Sequence, residues 1–209
     1  MHNLVNTIPL LKGFIAKDRA AFRGAYHKGE YLHATNGNMA VRIKVDKTSE
    51  DGEFYTVEPK YGNGEGAFPT FESIIVRSEN KIELLPELIK PIKDIFKTHK
   101  KLAMVQFALL NGTLYIFAHN GVIGAKYEIK DGFKADDWYL SLAPNYLFSI
   151  FELFEKLGTD EPISLHYNEP LGVGRERAFL FETRTVEAVL MPYRVKDTDK
   201  EMAFFNRSK

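Results

Sequence analysis

Three stretches of this sequence share one order of elements, an amphipathic helix followed by strand-like runs, and that repeat limits the fold more than any other feature. Units of about 55 residues cannot bury a helix face alone, so they must pair. In the first unit Leu10, Leu11, Phe14 and Ile15 return to one helical face, with Thr7 as the expected N-cap and Pro9 in the first turn. In the second, Leu85, Leu88, Ile89, Ile92, Ile95 and Phe96 recur at helical spacing. Pro91 lies inside that pattern, which leaves either a kink or a start near residue 90. In the third, Leu147, Ile150, Phe151, Phe154 and Leu157 lie between Pro144 and Gly158. The spacing predicts helices over about residues 8–17, 86–99 and 144–157.

Alternating, β-branched and aromatic runs follow each helix. They predict strands at 21–26, 31–34 and 39–45, then 103–109, 113–118 and 122–129, then 163–167, 178–182 and 186–194. Two further strands, 81–84 and 138–142, precede the second and third helices. Turns are expected at 27–29, Asn36-Gly37, Asn111-Gly112 and Asn120-Gly121. Residues 48–76 carry no helical pattern, and Gly62, Gly64 and Gly66 mark them as a long connector.

Zero cysteines exclude a disulfide framework, a thiolate metal site and a cysteine nucleophile. The six histidines lack ligand spacing, so no metal is expected. The glycines at 62, 64 and 66 do not join a strand to a helix, and no nucleophile elbow occurs, so neither a cofactor nor catalysis is expected. No apolar run approaches the roughly 20 residues that cross a bilayer, and the first 20 residues lack a signal pattern. The expectation is a cytoplasmic protein without membrane contact. With 28 basic and 28 acidic residues the net charge is zero, which argues against wholesale coating of nucleic acid and leaves local basic faces open. Lys90, Lys93, Lys97, Lys100 and Lys101 fall away from the apolar stripe of the second helix, and Lys12, Lys17 and Arg19 away from that of the first. Two readings fit: a solvated amphipathic face, or a row of cations following a phosphate backbone.

Three short motifs, in this order, add a family resemblance. Ala34-Thr-Asn-Gly-Asn-Met-Ala-Val41 resembles the Ala-Thr-Asp-Gly-His-Arg-Leu-Ala stretch of the bacterial β sliding clamp, the ring-shaped processivity factor of the replicative polymerase. Phe68-Pro-Thr-Phe-Glu-Ser-Ile-Ile75 resembles that family's Tyr-Pro-Asp-Tyr segment, and Val189-Leu-Met-Pro-Tyr-Arg194 its Val-Met-Pro-Met-Arg ending. The resemblance implies an α+β, DNA-clamp-like fold of repeated βαβββ units with helices packed on one side of antiparallel sheets. It divides the chain into residues 1–67, one half of a clamp domain; residues 68–196, a complete two-unit domain; and a flexible tail at 197–209.

The same resemblance implies a function. A clamp-like replication accessory protein, not an enzyme, would hold duplex DNA non-specifically on its helix face. Peptide motifs of polymerase-type partners would bind an apolar cleft drawn from Phe22, Thr35, Gly37, Met39, Ala40, Pro69, Ile74, Val189, Met191, Pro192, Tyr193 and Arg194. Asn38-Met39 stands where the family has His-Arg, so the family's polar contacts at that edge are not carried over. A family ring needs more units than this chain holds, so a homo-oligomer would be required. The alternative is an adaptor or decoy that keeps the peptide cleft without encircling DNA.

Overall fold

The computed structural model describes residues 1–75, 77–102, 104–119, 124–134, 137–167 and 178–191. The first unit opens with a single helical turn, α1 (Leu4–Thr7), capped by Asn3, whose side-chain oxygen accepts from the Asn6 N–H at 3.1 Å. Thr7 is not the cap; its hydroxyl donates to the Asn3 carbonyl. A 3-10 segment, Ile8–Phe14, follows in place of the expected α-helix. Pro9 lacks an N–H and Gly13 is a weak helix former, so the chain tightens to three residues per turn. That period stacks Leu11 over Phe14, and both are buried.

The three strands expected next are two long ones. Strand β1 (Ala25–Thr35) runs straight through the predicted turn at 27–29, because Gly29, at φ 58°, takes up the change as a bulge instead of a reversal. Residues 20–22 form a 3-10 turn, not a strand. Strand β2 (Met39–Tyr55) pairs with β1 as far as Ala25↔Tyr55, so the first third of the expected connector is strand. The connector then holds two short 3-10 turns, Pro59–Tyr61 and Phe71–Ser73.

The remaining elements follow the predicted order: β3 (Lys81–Leu84), α2 (Ile89–His99), β4 (Val105–Leu110), β5 (Thr113–His119) and β6 (Gly124–Lys130), then β7 (Trp138–Leu142), α3 (Pro144–Lys156), β8 (Ile163–His166), β9 (Phe179–Glu182) and β10 (Val186–Leu190). Pro91 sits in the first turn of α2, where its missing N–H has no helical partner to lose, so α2 starts at residue 89 without a kink. Asn111 and Gly112, at φ 49° and 77°, close the β4–β5 hairpin as expected; the predicted turn at 120–121 lies outside the described residues.

Two antiparallel sheets result, in the orders β1-β2-β10-β9-β8-β3 and β6-β5-β4-β7. Strands β3 and β7 are exchanged: β3 leads into α2 yet pairs with β8, and β7 leads into α3 yet pairs with β4. Neither unit can therefore separate without breaking both sheets. Phe96 on α2 touches Phe107 on β4 and Phe151 on α3, and Phe151 reaches Phe181 on β9. One core thus joins both sheets through the two helices. The N-terminal 3-10 segment docks on α3 so closely that a Cβ on Gly13 would stand 2.7 Å from the Ser149 hydroxyl. Gly13→Ala is expected to cost about 1–3 kcal/mol by overpacking. In urea denaturation, Ser149→Gly should return at least about 0.5 kcal/mol of that loss as non-additivity; strictly additive costs would show that the two segments are not in contact.

Candidate peptide cleft and basic helix face

Alternation along β2 and β10 decides which side chains share a face. Met39↔Leu190 and Val41↔Ala188 point into the main core, whereas Ala40↔Val189 and Arg42↔Glu187 point to the outer face of the sheet. On that outer face Ala40, Val189, Leu180 and Phe71 form a separate apolar cluster, with Ile74, Ile75 and Ala178 packed against it. Thr35, opposite Ala40, joins them; its hydroxyl donates to the Met39 carbonyl and accepts from the Gly37 N–H. Phe22 lies beside Gly37 and meets Phe68 edge-on at 6.4 Å. The Met191 N–H donates to the Asn38 carbonyl at 2.9 Å, and the Met191 side chain is 47% exposed.

Three segments distant in sequence therefore lie together on this face, but Met39 is not among the residues that share it. Met39 is 2% exposed inside the main core and lines no cleft, because a residue directly before Ala40 on a strand must face the other way. Ala40, Val189 and Phe71 are themselves buried, so the connector roofs the apolar floor and the accessible part is a rim of Phe22, Gly37, Pro69, Ile74 and Met191. Pro192, Tyr193 and Arg194 lie outside the described residues.

Charges fasten the connector to this face. Arg42 holds Glu187 through two hydrogen bonds of 2.7 and 2.9 Å and Glu72 through one of 2.7 Å. Arg77 bridges Glu182 and Glu187, and the carbonyl of the next residue, Ser78, accepts from His166 Nδ1. His166 Nε2 lies 3.1 Å from Glu182. Glu187, 8% exposed, is thus buried between two guanidinium groups, the arrangement a buried carboxylate requires.

Beside the cleft lies a feature that the sequence reading missed. A pocket of about 380 Å³ is lined by Tyr26, Tyr31 and His33 of β1 and by Phe68, Pro69 and Phe71 of the connector, with Lys28, Thr70 and Glu72 at its polar edge. Tyr26 and Phe68 stack at 5.1 Å, and His33 meets Phe71 at 5.7 Å. Burial, helped by the Arg42 charge, pushes His33 down to about 4. Its Nδ1 is buried without a hydrogen-bond partner among the described residues. Tyr26 shares a face with Tyr31 and His33 only because the bulge at Gly29 shifts the strand's phase, so simple alternation in the sequence does not reveal the set.

The basic face is less uniform than its sequence. Lys93 is held by Glu155 of α3, and that hydrogen bond raises its pKa. Lys12 pairs with Glu58 at 2.8 Å, and Lys17 sits over the Tyr61 ring, whose hydroxyl raises it. Arg19 belongs to the cleft side, stacked over Phe22 at 5.5 Å. Lys100 reaches across to the Phe148 ring. Lys90, Lys97 and Lys101 are exposed and form no ion pair among the described residues.

No protein-family model matches the sequence, and no curated protein does either. Solved structures do match. The β subunit of DNA polymerase from Streptococcus pyogenes superposes with a TM-score of 0.68 at 12% identity, over 92% of this chain and 64% of that one. The Helicobacter pylori β clamp bound to a DNA ligase peptide gives 0.69 at 14% identity, over the same shares. The C. crescentus β sliding clamp gives 0.70 at 15% identity, over 92% and 65%. The chain has the sliding-clamp fold. It spans about two-thirds of the length of these clamps, 64% and 65%.

The titration of His33 makes the site testable by pH. The unfolded chain binds a proton near pH 6.5 and the folded chain near 4, so the neutral ring's contribution is complete above pH 6.5 and is lost as pH falls toward 4. His33→Phe is expected to remove up to about 1.4 kcal/mol per pH unit from the acid dependence of stability in that window. Urea denaturation at pH 7, 6 and 5 measures it; parallel profiles for the two proteins would show that His33 is not kept neutral by the fold.

Proposed function

We propose that this chain is a sliding-clamp-like DNA replication accessory (processivity) protein that carries no catalytic step. Residues 1–67 would supply one wall of a peptide cleft and residues 68–196 the other. Short motifs of polymerase-type partners would dock on the outer face of the six-stranded sheet, and duplex DNA would lie along the helix face. The observation that carries the reading is the meeting of Thr35, Ala40, Phe71, Ile74 and Val189 on the outer face of the six-stranded sheet, with Met191 at its edge. A peptide-bound clamp among the structures of this fold supports it. A flexible, polarisable thioether at an exposed rim suits a surface that accepts several peptides. Clamp-type peptides with two or three apolar anchors are expected to bind in the micromolar range. Met191→Ala should weaken that binding by about 1–2 kcal/mol in a fluorescence titration. Peptides that fail to bind at millimolar concentration would exclude the cleft.

A second reading, an adaptor or decoy that binds such peptides without encircling DNA, is favoured by the helix face itself. Glu155 and Glu58 neutralise two of the lysines expected to meet phosphate, and Asp94 lies 3.9 Å from Lys93. The accessory role needs Lys90, Lys97 and Lys101 to serve as phosphate partners, together with a homo-oligomer to surround the duplex. Reversing all three charges should then flatten the slope of log K against log salt by about 2–3 for duplex binding. Duplex binding that is absent, or unchanged by the triple variant, selects the adaptor.

A further inference from the structure

We infer that the pocket between β1 and the connector binds an aromatic side chain of the docked peptide, as a specificity subsite separate from the apolar cleft. The inference rests on the peptide reading above and adds what that peptide must carry. Four features point to a ring rather than an aliphatic group. Tyr26, Tyr31, His33, Phe68 and Phe71 surround the space, so an entering ring meets both faces and edges of other rings. The volume of about 380 Å³ accommodates a phenol or an indole. His33 is 9% exposed and makes no hydrogen bond among the described residues, and its lowered pKa keeps it neutral at pH 7, so it can donate to or accept from a polar ring substituent. Lys28 at the mouth is exposed and forms no ion pair among the described residues, which suits a carboxylate next to the ring.

A peptide is the occupant because the pocket and the cleft share a wall. Phe71 lines the pocket and also packs against Ala40, Leu180 and Val189, while Phe68 lines the pocket and also touches Phe22 of the rim. One extended segment crossing the connector at Pro69 therefore reaches both. Arg42 lies over the Tyr31 and Phe71 rings at 4.8 and 5.3 Å, so a cationic guest would meet a charge already in place.

The test uses the whole chain and two fluorescent clamp-type peptides, identical except that one carries a Trp-Asp extension and the other Ala-Ala. The expected result is about fivefold tighter binding of the aromatic peptide. Thr70→Trp, at an exposed position on the pocket edge, should fill the space and abolish that difference while leaving the Ala-Ala peptide unaffected. Tyr31→Ala should reduce the difference by removing a wall. Equal binding of the two peptides to wild type overturns the subsite and leaves the cleft standing, whereas binding of neither overturns both. A Thr70→Trp variant that weakens both peptides alike also overturns the subsite. So does one that abolishes binding of a single-stranded oligonucleotide without changing the peptide difference, because the rings would then serve nucleobases.

Discussion

Five residue pairs between β2 and β10 carry the architecture on which both candidate surfaces depend. They turn an N-terminal hairpin and a C-terminal group of strands into a single six-stranded sheet. Side chains of β2 and β10 therefore alternate in phase. The core-facing set, Met39, Val41, Ile43, Ala188 and Leu190, seats the sheet on the helices. The opposite set, Ala40, Arg42, Glu187 and Val189, builds the outer site. A slip of β10 by one residue would place Glu187 in the apolar core, leave Arg42 without its partner and turn Ala188 and Leu190 to the outer face. The cost of such a slip, an uncompensated burial of charge, is what fixes the register.

The connector's position follows from the same register. Once Arg42 and Glu187 are opposite each other, their charges offer a fixed ladder to which Glu72 and Arg77 attach from either end of the crossing segment. Phe71, directly before the first anchor, belongs to the apolar cluster, and Ile74 and Ile75, between the anchors, pack against it. Surface ion pairs contribute little individually, but Glu187 is nearly buried, and removing it would leave two guanidinium groups facing each other. Electrostatics here selects where the roof sits, while the apolar contacts beneath it provide most of the free energy.

Elements with a single strong period were legible before any coordinates. Helices α2 and α3, the β4–β5 hairpin at Asn111-Gly112 and the strands β3 and β7 fall where spacing and turn residues place them. The first unit was not, for identifiable reasons. Apolar residues Leu10, Leu11, Phe14 and Ile15 fit a helical face, but Pro9 and Gly13 favour a tighter turn, and docking on α3 rewards it. Gly29 reads as a reversal signal, yet a positive φ serves a bulge equally well. The site divided the same way. Motif resemblance named segments that lie together on the outer face, whereas side-chain direction needed the strand's phase, and so Met39 was misplaced while Tyr26, Tyr31 and His33 were overlooked. The pairings that neutralise Lys12 and Lys93 join residues 46 and 62 positions apart, which helical periodicity alone does not reveal.

The N-terminal unit illustrates how a lone hairpin with a short helix can be made stable. A hairpin of this length extends beyond its partner strand: β10 covers β2 only from Met39 to Ile43. The remainder would expose an apolar face on the core side. Two segments close it from opposite directions. From the N-terminal side, Leu4, Leu11, Phe14 and Ile15 pack beneath the strands, and Leu4 is tied to β2 by its N–H donating to Asp46. From the connector side, Val57 and Tyr61 fold back onto the same core, and Gly24 lets this return pass close by, since a Cβ there would stand 2.6 Å from the Tyr55 carbonyl. Both segments are used up on the core face. The outer face is left to the connector at Phe68–Phe71, so the aromatic pocket forms where the roof begins, between a bulged strand and the first anchored turn of the crossing.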